Sequence, residues 1–167
     1  MQTINNLLNV EEFRELQDFY TSADCPWYYN SQVNQFSNNN FYFTQKLFEE
    51  RWHLEHSEKH VTMVLKQLSK HLESPLELLR SKVNLFVNRN KHYHCGFHTD
   101  MTDSEDYYTF VYNLNSNNGG TQIKDGEFYT SNENCGLLFY GNVEHESVTQ
   151  TDTYTRINMN INFRKTK

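Results

Sequence analysis

The sequence predicts a mainly β fold, a jelly roll backed by N-terminal α-helices, on three observations. The apolar period is helical before Pro75 and shifts towards two residues after Arg80. Short apolar runs in the second half are separated by regular turn clusters, as in a sandwich or closed barrel. The 167 residues are 37% apolar and include 12 Phe and 11 Tyr, enough to fill one core without disulfide staples. One domain over 1–167 is expected, with helical support over about 1–79 and a jelly-roll core over about 80–165.

In chain order, Asn9 and Glu12 form a capping-box pattern. Val10, Phe13, Leu16 and Phe19/Tyr20 then recur at helical spacing. Asn38-Asn39-Asn40 reads as a turn. A second helix is expected over 57–72, with Val61, Val64, Leu65, Leu68 and Leu72 on one face. It stops at Ser74-Pro75, because proline disfavours helix in the residue before it. His53, His56, His60 and His71 fall on this polar helical stretch and are expected to face solvent. Strands are expected over 83–87, 108–114, 136–140 and 157–163. Turn clusters at 115–120 and 124–126 separate them. In the last strand Ile157, Met159, Ile161 and Phe163 alternate with Asn158, Asn160 and Asn162. That asparagine face fits either the lining of a barrel or the solvent side of an edge strand.

Charge and cysteine content narrow the function classes. A net charge of −6 disfavours a nucleic-acid partner, since phosphate backbones call for clustered Lys and Arg. No apolar run is long enough to span a bilayer, so no membrane partner is expected. The segment MQTINNLLNVEEF has no basic n-region and no long apolar h-region, unlike a signal peptide. Cys25, Cys95 and Cys135 are odd in number and form no CxxC, which fits a reducing cytoplasm. The oligomeric state has no signature in the chain.

The chemistry concentrates after residue 90. On an extended chain, residues i and i+2 point the same way, so His98 and Asp100 can reach one metal ion together. His145, after the apolar run at 136–140, is the candidate third ligand. Two histidines and a carboxylate on one face of an ion leave three positions open, an arrangement suited to Fe(II) sites that bind O₂ and substrate. His92 and His94 read as loop residues and Cys95 as a buried thiol. Arg156 opens the last strand eleven residues after His145, and its planar fork matches a carboxylate.

Taken together, these features resemble the 2-oxoglutarate/Fe(II) dioxygenase superfamily, and most closely its prolyl-hydroxylase-like branch. The resemblance covers 83–163: His98-x-Asp100, the strand ending Asn113-Leu114-Asn115, Gly119-Gly120-Thr121, the run at 136–140 leading to His145, and Thr155-Arg156. It implies a double-stranded β-helix related to the cupins, with Fe(II) and O₂ dependence and 2-oxoglutarate as co-substrate. By the same resemblance, His98, Asp100 and His145 hold the metal, and Arg156 receives the far carboxylate of the co-substrate. Asn113 stands where prolyl hydroxylases place a Tyr that holds the co-substrate, and Phe86 where an aromatic hydroxyl is common. Asn84 and Asn158 match positions of the nucleic-acid alkylation-repair branch, whose further Arg is replaced here by Asn162. The implied activity is hydroxylation of a peptide or small amino-acid-like substrate, proline being one candidate. An alkylation-repair-type demethylase and a non-catalytic cupin-like metal-binding module are the alternatives.

Overall fold

The computed structural model describes residues 1–33, 40–101 and 106–166. Asn38 and Asn39 of the first turn cluster lie outside these residues.

The helices start and end for local reasons. Helix α1 (Val10–Thr21) is capped by Asn9, whose side-chain oxygen accepts from the Glu11 and Glu12 amides at 3.0 and 2.9 Å. The Glu12 carboxylate does not close a capping box; it accepts from Gln67 on helix α2 (Ser57–His71). Phe13, Leu16 and Tyr20 of α1 and Val61, Val64 and Leu68 of α2 are buried on one face of each helix.

The expected solvent exposure holds for His53 and His71 only. His60 is 4% exposed, its Nδ1 3.2 Å from the Tyr20 hydroxyl. His56 is half-buried against Phe19, with Nε2 2.9 Å from Gln45 Oε1. At i and i+4 both rings fall on the α2 face turned towards α1, so burial overrides their polarity. Desolvation, reinforced by His56, pulls the His60 pKa down to about 4.

The strands form two antiparallel sheets. The larger runs β1 (Gln2–Asn5), β9 (Cys135–Tyr140), β6 (Tyr107–Asn113), β11 (Thr155–Lys165), β5 (Leu76–Val87), β3 (Tyr42–Glu49), β2 (Tyr28–Asn30), with β4 (Arg51–Trp52) on β3. The smaller runs β10 (His145–Val148), β7 (Gly120–Ile123), β8 (Phe128–Thr130). This is a jelly roll with two helices on the outer face of its large sheet. The first half is less helical than its pattern predicts, since β1 to β4 lie within it and β5 starts at Leu76.

Strand β11 is central, between β5 and β6, and both of its faces are buried. Its odd residues, Ile157, Met159, Ile161 and Phe163, pack on the helical side with Val83, Phe110, Tyr112, Leu16 and Leu68. Each such side chain contributes about 1.5–3 kcal/mol on burial. Its even residues, Arg156, Asn158, Asn160 and Asn162, line the barrel interior at 0–7% exposure. The solvent-edge alternative for this face is thereby excluded.

Candidate active site

The two histidines of the triad are brought together by backbone pairing. The extended segment through His98 lies against β10, and the His98 and His145 amides and carbonyls exchange hydrogen bonds at 3.0 and 2.9 Å. Glu146 anchors this segment, accepting from the Gly96 amide at 2.9 Å and from His94 Nδ1 at 2.6 Å. Gly96 has φ 86°, a turn that a side chain would strain. The Asp100 and Met101 amides both donate to the Gly141 carbonyl, at 3.1 and 3.0 Å. The carboxylate of Asp100 is thereby fixed beside the two imidazoles.

Nδ1 of His98 lies 3.2 Å from the Gly96 carbonyl, and Nδ1 of His145 lies 3.0 Å from that of Val143. A carbonyl only accepts, so Nδ1 carries the proton and the Nε2 lone pair is free in both rings. The two Nε2 atoms stand 4.0 and 3.8 Å from the Asp100 oxygens, too far for hydrogen bonds. The ligand atoms of His98, Asp100 and His145 all lie within 4.8 Å of one another. This donor set and spacing fit a divalent ion.

Asp100 is held from several sides. Arg80 Nη2 donates to Oδ1 at 3.1 Å. Thr109 Oγ1, Asn160 Nδ2 and Asn162 Nδ2 donate to Oδ2 at 2.9, 3.3 and 3.2 Å. Burial alone would raise the Asp100 pKa. Nearby positive charge, of which Arg80 and Lys82 are the permanent part, outweighs it and holds the carboxyl far below its usual range. Burial, followed by repulsion from His145, lowers the His98 pKa, which keeps that ring neutral. Arg80 Nε also donates to Asn162 Oδ1 at 2.9 Å, so β5 supplies a guanidinium beside Asn162 of the last strand.

Arg156 is fully buried. Its Nε donates to Ser131 Oγ at 2.8 Å, its guanidinium lies over Phe86 at 5.3 Å, and the turned amide of Asn158 accepts from both terminal nitrogens at 3.2 and 3.3 Å. Among the described residues no carboxylate lies within ion-pair distance of it. Burial accordingly pulls its pKa down to about 10. Gly119 makes room for the stem: a Cβ there would stand 3.0 Å from Arg156 Cδ.

A cleft lies beside these groups. Its walls are Tyr42, Lys82, Asn84, Phe86, Val111, Thr121, Ser147, Asn158 and Asn160, with His98 and His145 at one end. The side-chain amides of Asn84 and Asn158 meet at 3.0 Å. The structure thus brings His98, Asp100, His145, Arg156, Asn158 and Asn84 together. Asn113 is set apart: its amide donates to the Cys135 carbonyl at 3.3 Å, and it lines a neighbouring cavity with Thr3, Thr130 and Cys135. Sequence reasoning missed Arg80, Lys82 and Thr109. Arg80 and Lys82 share strand parity with Asn84, the one signal that could have found them.

No family model matches the chain, and no curated protein matches it by sequence. Solved structures do. An oxidoreductase of the 2OG-Fe(II) oxygenase family from Burkholderia pseudomallei aligns at TM-score 0.72 and 11% identity, over 97% of this chain and 84% of that one. A Pseudomonas putida prolyl-4-hydroxylase aligns at TM-score 0.63 and 15% identity, over 99% and 92%. A Trichoplax adhaerens prolyl hydroxylase, in complex with a hypoxia inducible factor peptide fragment, aligns at TM-score 0.65 and 13% identity, over 98% and 82%. The chain has the jelly-roll fold of the 2-oxoglutarate/Fe(II) oxygenases. No helix among the described residues is long and apolar enough to cross a membrane.

Proposed function

We propose that this protein is a 2-oxoglutarate-dependent Fe(II) dioxygenase that hydroxylates a peptide or a small amino-acid-like molecule, proline being one candidate. The observation that carries this reading is a fully buried arginine with no anionic partner among the described residues, packed against Phe86 and Asn158, which line one cleft together with His98 and His145 of the His-Asp-His triad. A metal-binding module needs the triad alone. A buried cation facing such a cleft calls for an anion that arrives with a ligand.

Fe(II) held by His98, Asp100 and His145 would supply the power to activate O₂ and hydroxylate a C–H bond, with 2-oxoglutarate consumed to succinate and CO₂. The chain's own groups do the positioning. Nδ1 protons donated to the Gly96 and Val143 carbonyls aim both Nε2 lone pairs at the ion. Asp100 stays ionised because nearby positive charge outweighs its burial, and its four donors orient it. Arg156 receives the far carboxylate, with the Asn158 amide oxygen aligning the fork. Phe86 and Tyr42, stacked at 5.6 Å, wall that end against water.

The peptide complex of the Trichoplax adhaerens relative supports a peptide substrate. A net charge of −6 counts against the demethylase reading. The three free thiols fit a cytoplasmic location. The test is anaerobic addition of Fe(II) and 2-oxoglutarate to the purified protein. A weak visible charge-transfer band is expected, and a metal-bound protein that never develops one overturns the reading.

A further inference from the structure

Lys82 is the one cation beside the triad that neither the sequence motifs nor the proposed mechanism uses. It lies on β5 between Arg80, which holds Asp100, and Asn84, which holds Asn158. Alternate residues of a strand share a face, so its ammonium enters the cleft one pair nearer the triad than Asn84 does. Its stem lies by Tyr42, with Nζ 5.9 Å from the ring centroid, and it forms no hydrogen bond or ion pair with any described residue. Across the register stands Asn160, whose Nδ2 is spent on Asp100 and whose Oδ1 is buried without a partner. The cleft therefore holds an unmet donor and an unmet acceptor at one level, next to His98 and His145. The charges agree. Arg80 pairs with Asp100 at 3.1 Å, and among the described residues neither Lys82, which lines the cleft, nor Arg156, which lies against the wall residues Phe86 and Asn158, has a carboxylate within ion-pair distance, in a protein of net charge −6. A site built this way selects a dianion over a monoanion.

We infer that Lys82 is the second carboxylate receptor of the cleft: its ammonium binds the keto-acid end of 2-oxoglutarate beside the metal, while Arg156 takes the far carboxylate. This rests on the oxygenase reading and adds to it a residue that sets ligand class. A strongly hydrated point charge suits the role, since a carboxylate already shared with a metal offers one free oxygen and no fork.

The experiment loads wild type, Lys82→Met, Lys82→Arg and Arg156→Met with Mn(II) and titrates each with 2-oxoglutarate. It repeats the titration with 4-oxobutanoate, which lacks the keto-acid carboxylate. Lys82→Met is expected to lose about tenfold to a hundredfold in 2-oxoglutarate affinity, with Lys82→Arg recovering most of it. Affinity for 4-oxobutanoate should be the same with and without Lys82. Mn(II) itself should bind Lys82→Met at least as tightly as wild type, because a cation near Asp100 has been removed. A merely structural lysine would weaken metal and ligand together. Equal 2-oxoglutarate affinity in wild type and Lys82→Met overturns the inference while leaving the oxygenase reading intact, and so does an equal loss for 4-oxobutanoate. Failure of Mn(II)-loaded wild type to bind 2-oxoglutarate overturns both.

Discussion

Replacing Arg156 with Met should make the ligand-free protein more stable and the liganded protein less so. The guanidinium is fully buried, and its pKa falls from 12.5 to about 10, chiefly through desolvation. At 1.36 kcal/mol per pH unit, the charge costs the folded state about 3 kcal/mol at neutral pH. The sign follows from the direction. A cation whose folded pKa lies below its unfolded one is disfavoured by folding at every pH where both states carry it, and the cost is relieved only above about 10. Met removes that cost and fills most of the volume, but gives up the bonds to Ser131 and Asn158, worth about 1–2 kcal/mol together. The net gain should be about 1–2 kcal/mol, or roughly 2–8 °C in Tm for a chain of this size. With Mn(II) and 2-oxoglutarate at a hundred times its Kd, wild type should gain about 2.7 kcal/mol. Arg156→Met should gain little at the same concentrations. Thermal unfolding in the four conditions measures both effects. A Tm several degrees below wild type without ligand would show that the fold needs this cation for its own sake. An undiminished rise with 2-oxoglutarate would remove Arg156 from the ligand site.

His98→Ala, Asp100→Ala and His145→Ala should each lose Mn(II) binding by calorimetry, and binding retained in any one removes that residue from the triad. Asn162→Leu should weaken Mn(II) binding about tenfold to a hundredfold without changing the charge, because Asp100 Oδ2 loses a donor and Arg80 loses its second acceptor; an unchanged affinity would show that Asp100 needs no such support. His60, with a pKa of about 4 against 6.5 unfolded, should make the protein less stable as pH falls from 6.5 towards 4, by at most about 3 kcal/mol. Here the unfolded chain takes up the proton first. Urea unfolding of His60→Gln should show a shallower acid slope than wild type, and an identical slope would assign that loss to other groups.

The triad and β11 were legible because their geometry is local. His98 and Asp100 are two apart on an extended chain, and the alternation of 157–163 spells out two faces without interruption. The capping of α1 by Asn9 is likewise a contact within four residues. Strand β3 was not legible, because its register shifts between Lys46 and Phe48 and the bulge breaks its two-residue period. The early start of β5 was hidden in the same way, opposite the shift at Asn162/Phe163. No motif marks Arg80 or Lys82, and only the arrival of Asp100 on another segment gives them an interior role. Asn113 shows the converse limit. Its parity is right and it sits opposite Asn158, yet its amide turns to the Cys135 carbonyl and away from the cleft. Parity gives the face of a sheet, and the partner that captures a side chain there is a tertiary matter.

The asparagines of β11 explain how one strand can serve both a core and a site. A barrel lined by apolar residues would be stable and chemically inert, whereas one lined by charges would pay heavily for burying them. Asn160 and Asn162 avoid both outcomes. Each offers Asp100 a neutral donor, so the carboxylate is oriented without cancelling the charge a metal needs. A second acid there would compete for the ion, and a lysine would repel it. Because the interior is given over to polar contacts, hydrophobic stabilisation has to come from elsewhere. It comes from the opposite face of the same strand, where Ile157, Met159, Ile161 and Phe163 meet the two helices. The helices carry none of the site residues, yet they supply the packing that lets the barrel interior hold the cations Arg156 and Lys82 with no carboxylate at ion-pair distance among the described residues. Those cations are where a dianionic ligand is expected to bind.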